Sequence, residues 1–333
     1  MLPCCAVYPT HNSSPFPWRD PENRPPLIDT GSHIPLLELH SIPFIADIHT
    51  HFFPEVFMKL IWKWFDRVNW EIAYRKNDLE RVAILKKNKV RFFTTLNYAH
   101  KEGLADSLNL WVHQNHHTLD GVIPFGTFYP EPGVLKTVKQ AVEEYGFKGF
   151  KLHLEVGKFD INEPILNPVF QYLQEKKIPI VIHTGTAPVP GEFTGIAYFQ
   201  KFLLKFPEIV AIVAHMGARE VEEYAKFLEY CPNLYLDTTM VFVDFYATGE
   251  KMDSYLQILK NYPHKILFGS DFPNIPYNYS HPVEKLLNSG LEKKDLQRIF
   301  YKNFLSLPGL FTDKERVSLE DGDSSTDHKT SLP

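Results

Sequence analysis

Two histidines at the end of one apolar run are the residues whose spacing most directly indicates chemistry. Residues 44–54 read FIADIHTHFFP, and His49 and His51 are separated by one residue. Side chains two positions apart on a strand point to the same face. Both imidazoles therefore point the same way at the carboxyl end of a predicted strand, a geometry that suits two ligands of one metal ion. The structural alternative is a polar pair on a half-exposed strand.

Similar polar residues lie at or near the ends of four other apolar runs. They are Lys151 and His153, His183, His215 and Asp271. A buried polar side chain is costly unless it is paired or bound, so their recurrence at one end of several strands favours a common site. In a barrel of parallel strands the carboxyl ends form one rim, and barrel enzymes place their active sites there.

Strand-like runs and helical patterns alternate along most of the chain. The eight strand candidates are 44–51, 91–98, 122–130, 147–155, 178–185, 209–217, 233–240 and 265–273. Helical spacing is found between them, for example at 54–67, 77–88, 167–177, 196–206, 220–230 and 253–262. This alternation predicts a single-domain α/β protein with a (β/α)8 TIM barrel. An open doubly wound sheet is the alternative, but no glycine-rich phosphate loop follows a strand.

The two ends of the chain differ in composition from the predicted barrel, which spans residues 44–311. Residues 1–43 contain nine of the 26 prolines, which predicts an irregular N-terminal arm. Residues 312–333 are polar, with six acidic and three basic side chains, and predict a disordered C-terminal tail.

Composition narrows the partners that we expect. The net charge of -5 comes with no basic stripe, which predicts that the chain binds no nucleic acid. No apolar segment reaches about 18 residues, which predicts no membrane span. The three cysteines, Cys4, Cys5 and Cys231, lack metal-ligand spacing and favour a reducing cytoplasm. The first residues lack the basic and apolar regions of a signal peptide.

Six motifs in order resemble those of one known family. They are DIHTH at 47–51, GFKLH at 149–153, IVIHTG at 180–185, IVAHMG at 212–217, LYLDT at 234–238 and FGSDFP at 268–273. Over about residues 44–308 the chain resembles the amidohydrolase-related family of the metal-dependent amidohydrolase superfamily. The branch that it resembles also holds aminocarboxymuconate-semialdehyde decarboxylase and the resorcylate decarboxylases. Together the motifs form a specific signature, whereas His-x-His alone would be weak.

The resemblance implies a role for five of the strand-end residues. His49, His51 and His183 match the three imidazole ligands of a single divalent metal ion, and Asp271 matches the carboxylate that binds the metal or its water. His215 matches the catalytic histidine that polarises substrate or shuttles a proton. Zinc is the expected ion because it accepts nitrogen and oxygen ligands with open positions; manganese is the alternative if more oxygens coordinate.

Three further residues near this site have open roles. Lys151 lies on the fourth predicted strand, where some amidohydrolases carry a carboxylated lysine that bridges two metals, and His153 shares its face. We favour the alternative, in which one metal is present and Lys151 hydrogen-bonds within the site or contacts an anionic substrate. Asp47 shares the face of His49 and His51 but lies deeper, so we expect a supporting or structural role.

The candidates for substrate contact are Arg219, Tyr98 and His100. Arg219 lies four residues after His215 and either binds a substrate carboxylate through a bidentate contact or faces solvent. Tyr98 and His100 lie at or beyond the end of a predicted strand, where pocket-lining residues occur.

These observations predict a metal-dependent hydrolase that uses an activated water on an amide, lactone or ester-like bond of a small molecule. The alternative is a metal-dependent decarboxylase of an aromatic or enoic carboxylic acid. A third hypothesis is a barrel that binds ligands without turnover. The G-x-S-x-G and H-E-x-x-H motifs are absent from the sequence, which disfavours those nucleophile schemes. A homodimer that uses the aromatic helix at 54–67 is a further hypothesis.

Overall fold

The computed structural model describes residues 24–68, 70–187, 190–243 and 251–320. Its strands are β1 (Ile45–Asp47), β2 (Val90–Thr95), β3 (Val122–Thr127), β4 (Gly149–His153), β5 (Ile180–His183), β6 (Ala211–Val213), β7 (Leu234–Asp237) and β8 (Ile266–Leu267). They form one sheet in the order of the chain, and each pairs in parallel with the next. The (β/α)8 barrel that the sequence predicts is confirmed.

Helices follow the strands along the chain. Those of the described residues are α1 (Ile34–Leu39), α2 (Glu55–Arg67), α3 (Asp78–Lys87), α4 (Leu104–His116), α5 (Val134–Glu143), α6 (Leu154–Gly157), α7 (Asn167–Glu175), α8 (Ile196–Lys205), α9 (Val221–Ala225), α10 (Met252–Asn261), α11 (Ser280–Leu287), α12 (Lys293–Gln297), α13 (Asn303–Leu305) and α14 (Asp313–Glu320). None of these helices combines the length and the apolar character needed to cross a bilayer.

The barrel closes between β1 and β8, just beyond the ends of both strands. Asp271 N donates to His49 O at 2.9 Å, and His51 N donates to Phe272 O at 2.7 Å. Thr50 and Phe272 form a parallel bridge at the same level. The seam of the barrel is therefore made by the segments that carry three of the predicted site residues.

Both seam strands are shorter than their sequence patterns predict. The pattern at 265–273 predicts nine strand residues, whereas β8 has two. The strand ends at Leu267, and the backbone turns away from extended conformation at Asp271, which adopts a left-handed φ of 68°. The sequence pattern extends beyond β8 because buried apolar residues continue there, among them Phe268 and Phe272.

Both termini depart in part from the sequence predictions. Ile34–Leu39 is a helix within the predicted irregular arm, and it buries Leu37. Asp313–Glu320 is a helix where the sequence predicts the start of a disordered tail. The physical reason is a cap, because Glu315 accepts from Thr312 N at 2.7 Å while Thr312 Oγ1 accepts from Glu315 N at 3.3 Å. Residues 1–23 and 321–333 lie outside the described part of the chain.

The interior beneath the rim depends on a glycine in β4. Phe125 and Gly149 are partners in the register of β3 and β4. A Cβ atom added at Gly149 would lie 2.4 Å from the Phe125 ring. The glycine therefore leaves the space that a buried aromatic ring fills.

We expect Gly149→Ala to destabilise the barrel by about 1–3 kcal/mol because the methyl group overpacks a closed interior. Urea unfolding followed by circular dichroism measures the loss. Adding Phe125→Leu to Gly149→Ala should recover part of it, because the shorter side chain vacates the contested space. Wild-type stability of the Gly149→Ala protein would contradict the packing described above.

Candidate metal centre

The residues predicted from the His-x-His motif and from the last strand meet at the seam. His51 Nε2 lies 2.9 Å from Asp271 Oδ1, and His49 Nε2 lies 3.4 Å from the same oxygen. Within the described residues these three side chains form a group whose ligand atoms all lie within 4.8 Å of one another. A tetrahedral zinc ion with bonds of about 2.0–2.1 Å holds its ligands roughly 3.3 Å apart, so the spacing fits.

The hydrogen bonds of the two imidazoles leave the correct nitrogen atoms for a metal. His51 Nδ1 lies 2.7 Å from Leu96 O, and His49 Nδ1 lies 2.8 Å from Asp237 Oδ2. Both partners are acceptors, so each Nδ1 carries a proton, and in the neutral tautomer this leaves the lone pair on Nε2. Two lone-pair atoms and the Asp271 oxygen repel one another unless a cation lies among them. The donor set therefore fits a divalent ion.

Burial and charge set the protonation of this group in the way that a metal requires. Burial lowers the pKa of His49 to about 3, so the ring is neutral. Burial raises the pKa of Asp271, but the close approach of His51 and of the neighbouring imidazoles lowers it by more, and the net pKa is well below the usual range. Neutral imidazole and ionised carboxylate are the forms that bind metal.

Asp237, in β7, supports the centre, and the sequence analysis assigned it no role. Its Oδ2 accepts from His49 Nδ1 at 2.8 Å, and its Oδ1 accepts from His215 N at 2.8 Å and from Thr239 N at 3.1 Å. Burial raises the pKa of Asp237, but its interactions with His49, His215 and Lys151 together outweigh burial, and the pKa is about 2. The LYLDT motif was the available signal, but only the barrel brings Asp237 to His49.

Asp47 has the supporting position that the sequence predicts. Its Oδ1 accepts from His49 N at 3.0 Å and from Ser270 N at 3.2 Å, and its Oδ2 accepts from Tyr279 OH at 2.8 Å. Burial raises the pKa of Asp47 to about 7. The carboxyl group thus ties the backbone of His49 to the residue that precedes Asp271.

His215 reaches the site through an unusual backbone turn. Its φ and ψ are 56° and 28°, and the left-handed φ continues through Ala218. Its ring lies 5.2 Å from the His49 ring and 4.6 Å from the His183 ring, measured between centroids. Nδ1 lies 3.1 Å from Thr239 O and carries the proton, so Nε2 is free to exchange a proton. Burial lowers the pKa of His215, which favours the neutral ring.

His183 lies beside the three-residue group but outside it. Its ring stacks on His153 with 4.0 Å between centroids, and its Nε2 lies 3.4 Å from Ala187 O. Burial lowers the pKa of His183 well below its ordinary value, so the ring is neutral. The assignment of His183 as the third imidazole ligand remains a prediction.

Lys151 is buried and points at the centre. Its Nζ lies 3.3 Å from His49 Nε2, and burial lowers its pKa to about 8. His153, two residues further along β4, accepts from Val156 N at 3.3 Å and so caps the helix that follows. A role for Lys151 or His153 in holding a second metal or the substrate remains a prediction.

The three predicted substrate contacts occupy different environments. The Tyr98 ring lies 5.9 Å from His51 and 5.0 Å from His153, so it borders the site. His100 is half-buried, and burial lowers its pKa. Arg219 is exposed, which agrees with the solvent-facing alternative of the sequence analysis.

Comparison of the sequence with known families identifies the family to which the chain belongs. The sequence profile of the amidohydrolase family matches residues 46–303. This chain belongs to the amidohydrolase family. The match runs from β1 to the start of α13 and includes every predicted site residue, which confirms the family resemblance seen in the sequence. No functionally curated protein matches the chain.

Several solved structures share the barrel at low sequence identity. An uncharacterised TIM-barrel protein from Bordetella bronchiseptica has a TM-score of 0.62 and 16% identity, covering 79% of this chain and 98% of that one. A 5-carboxyvanillate decarboxylase from Novosphingobium aromaticivorans, complexed with manganese and a nitrobenzoic acid, has a TM-score of 0.61 and 15% identity, covering 80% and 96%. A 4-oxalomesaconate hydratase from Rhodopseudomonas palustris has a TM-score of 0.56 and 16% identity, and the match covers 84% of this chain and 99% of that one. At these identities the likeness shows the fold alone.

We expect Asp237→Asn to weaken divalent-metal binding by about 10- to 100-fold, the usual effect of removing a partner of a ligating histidine. Both oxygens of Asp237 accept hydrogen bonds from N–H groups. Asparagine would place its NH2 group, which is a donor, against one of these N–H groups, and that hydrogen bond would be lost. Competition with a chromogenic chelator measures the dissociation constant. Asp66→Asn, which alters an exposed carboxylate paired with Arg75, is the matched control. Equal affinity in Asp237→Asn and Asp66→Asn would contradict this role.

Proposed function

We propose that this amidohydrolase is a divalent-metal-dependent hydrolase that acts on an amide, lactone or ester-like bond of a small molecule. The observation that carries the proposal is the position of Asp271. Its ionised carboxylate lies beside the Nε2 atoms of His49 and His51. The side chain of Asp271 is 15% exposed, so substrate and water can reach it.

The residues of the chain divide the chemical work. His49, His51 and Asp271 would hold the ion, with His183 as the further imidazole. A divalent ion supplies a Lewis acid that polarises a carbonyl group and acidifies water. Asp271 would accept the proton of the attacking water, since its pKa is depressed and it is ionised at neutral pH. The leaving group would gain the proton that Asp271 has taken from the water, and His215 would relay it by accepting and then releasing it at Nε2, which carries no proton in the neutral ring.

Lys151 supplies the positive charge nearest to the ligand His49. The Lys151 ammonium group is buried, where an electrostatic interaction is stronger than in water. We assign to it the stabilisation of the negative charge that develops on the substrate oxygen. This role needs only one metal ion in the site.

The proposed ion is zinc, with manganese as the alternative. Two imidazoles and one carboxylate with room for further ligands suit zinc, whereas additional oxygen ligands favour manganese. The proposal also includes a small-molecule substrate and a cytoplasmic location, which suits the free Cys231. A homodimer through α2 is part of the proposal, because this helix exposes Val56 and Leu60.

The second candidate is a metal-dependent decarboxylase of an aromatic or enoic acid. Two features favour it: the buried Lys151 beside the centre, which could pair with a substrate carboxylate, and the 5-carboxyvanillate decarboxylase among the similar structures. In this reaction the bond between the substrate and its carboxyl carbon would break, carbon dioxide would leave, and the electron pair would stay on the substrate carbon. His215 would take a proton from water at Nε2 and transfer it to that carbon.

We expect metal-loaded Asp271→Asn protein to lose roughly 10²–10⁴-fold in kcat, the usual effect of removing a general base. His49→Ala should bind the ion more weakly and lose turnover with it. His117→Ala changes an exposed histidine and is the control. Zinc and manganese are each restored to chelator-treated protein, and lactones, amides and aromatic acids are screened. Full turnover in His49→Ala and Asp271→Asn would contradict the proposal.

The products distinguish the two reactions. In water enriched in ¹⁸O a hydrolase transfers the label to the new carboxyl group, whereas a decarboxylase releases carbon dioxide and incorporates no label into its organic product. We expect label incorporation, detected by mass spectrometry. Carbon dioxide release without label in the organic product would replace the first candidate with the second.

A further inference from the structure

A short N-terminal segment lies across the loop that follows β8. Residues 26–29, which we call the N-terminal clasp, precede α1. Asn278 N donates to Pro26 O at 2.8 Å, and Asn278 Nδ2 donates to Ile28 O at 3.1 Å. The clasp is thus held by the loop that continues from Asp271.

Asp29 joins the start of α11 to the segment between α2 and α3. Its Oδ1 accepts from Ser280 N at 3.1 Å and from Ser280 Oγ at 3.3 Å. Its Oδ2 accepts a hydrogen bond from Tyr74 OH, between α2 and α3. One carboxylate of the clasp therefore bridges the segments downstream of both seam strands.

A chain of hydrogen bonds leads from Asp29 to the metal centre. The Tyr74 hydroxyl oxygen accepts from Tyr279 N at 2.7 Å, and Tyr279 OH donates to Asp47 Oδ2 at 2.8 Å. The other oxygen of Asp47 accepts from His49 N at 3.0 Å. The path is continuous, and each step is a single hydrogen bond or a single side chain.

Burial makes each step of this path costly to break. Tyr74 is 5% exposed, and Tyr279 and Asp47 are fully buried. A buried polar group that loses its partner is not compensated by water, so it drives its neighbours to rearrange. Ser270 N also donates to Asp47, so the same rearrangement reaches the residue before Asp271.

We propose that Asp29 is a positioning residue for the metal centre, acting through Tyr74, Tyr279 and Asp47 on the backbone of His49 and of the Asp271 segment. The inference rests on the proposed function, because it takes His49 and Asp271 as ligands. Asp29 does not touch the ion or the substrate. Its effect is on how tightly and in what geometry the ion is held.

The test uses full-length protein and four variants. Asp29→Ala and Tyr279→Phe remove two steps of the path, and their double variant tests whether the two act through one route. Ser32→Ala is the matched control, because Ser32 lies three residues beyond Asp29 and donates to Glu284 in α11 without joining the path. The zinc dissociation constant comes from chelator competition, and the visible spectrum of the cobalt(II)-loaded protein reports the ligand geometry.

We expect Asp29→Ala and Tyr279→Phe each to raise the zinc dissociation constant by about 10-fold and to change the cobalt spectrum. The double variant should be little weaker than the worse single variant, because coupled residues are not additive. Ser32→Ala should match the wild type in both measurements. Circular dichroism and thermal unfolding of the metal-free proteins separate these effects from loss of folding.

Three outcomes would overturn the inference. They are wild-type affinity in Asp29→Ala, an equal loss in Ser32→Ala, and fully additive losses in the double variant. If Asp29→Ala does not fold, Tyr74→Phe takes its place in the test. This variant removes one hydroxyl group from the same path, and the same three outcomes would overturn the inference. Wild-type protein that binds no divalent ion would overturn the proposed function as well, whereas tight wild-type binding with unaffected variants would overturn this inference alone.

Discussion

The closure of the barrel between β1 and β8 is the constraint on which the rest of the structure depends. Two backbone hydrogen bonds at this seam involve His49, His51 and Asp271. Their side chains are held at 2.9 and 3.4 Å because their backbones are already paired. The ring of eight strands and the candidate metal-ligating group therefore depend on the same seam, since neither is complete while the seam is open.

Two buried carboxyl groups that contact His49 have different pKa values because their surroundings differ. Asp47 and Asp237 are both fully buried. Both accept hydrogen bonds from backbone amides. At Asp237 burial is outweighed by His49, His215 and Lys151 together and the pKa falls to about 2, whereas at Asp47, which faces a tyrosine hydroxyl, burial raises the pKa to about 7. The permanently ionised group is thus the one that sets the tautomer of His49, and the other orders the backbone.

Much of this arrangement could be predicted from the sequence because it depends on local patterns. The alternation of strands and helices identified the barrel, and the two-residue spacing of His49 and His51 placed both rings on one face. The role of Asp237 has no local pattern, since its partner His49 lies 188 residues away along the chain. The cap at Thr312 was present in the sequence and was outweighed by the polar composition around it.

The left-handed turn at His215 sets a limit on how far this fold can be stabilised. Left-handed backbone costs roughly 1–2 kcal/mol per residue outside glycine, and His215, Met216 and Ala218 all adopt a positive φ. A relaxed backbone here would remove that conformational cost, but it would move the imidazole away from the His49 and His183 rings. If His215 acts as proposed, stability and activity make opposite demands on this turn.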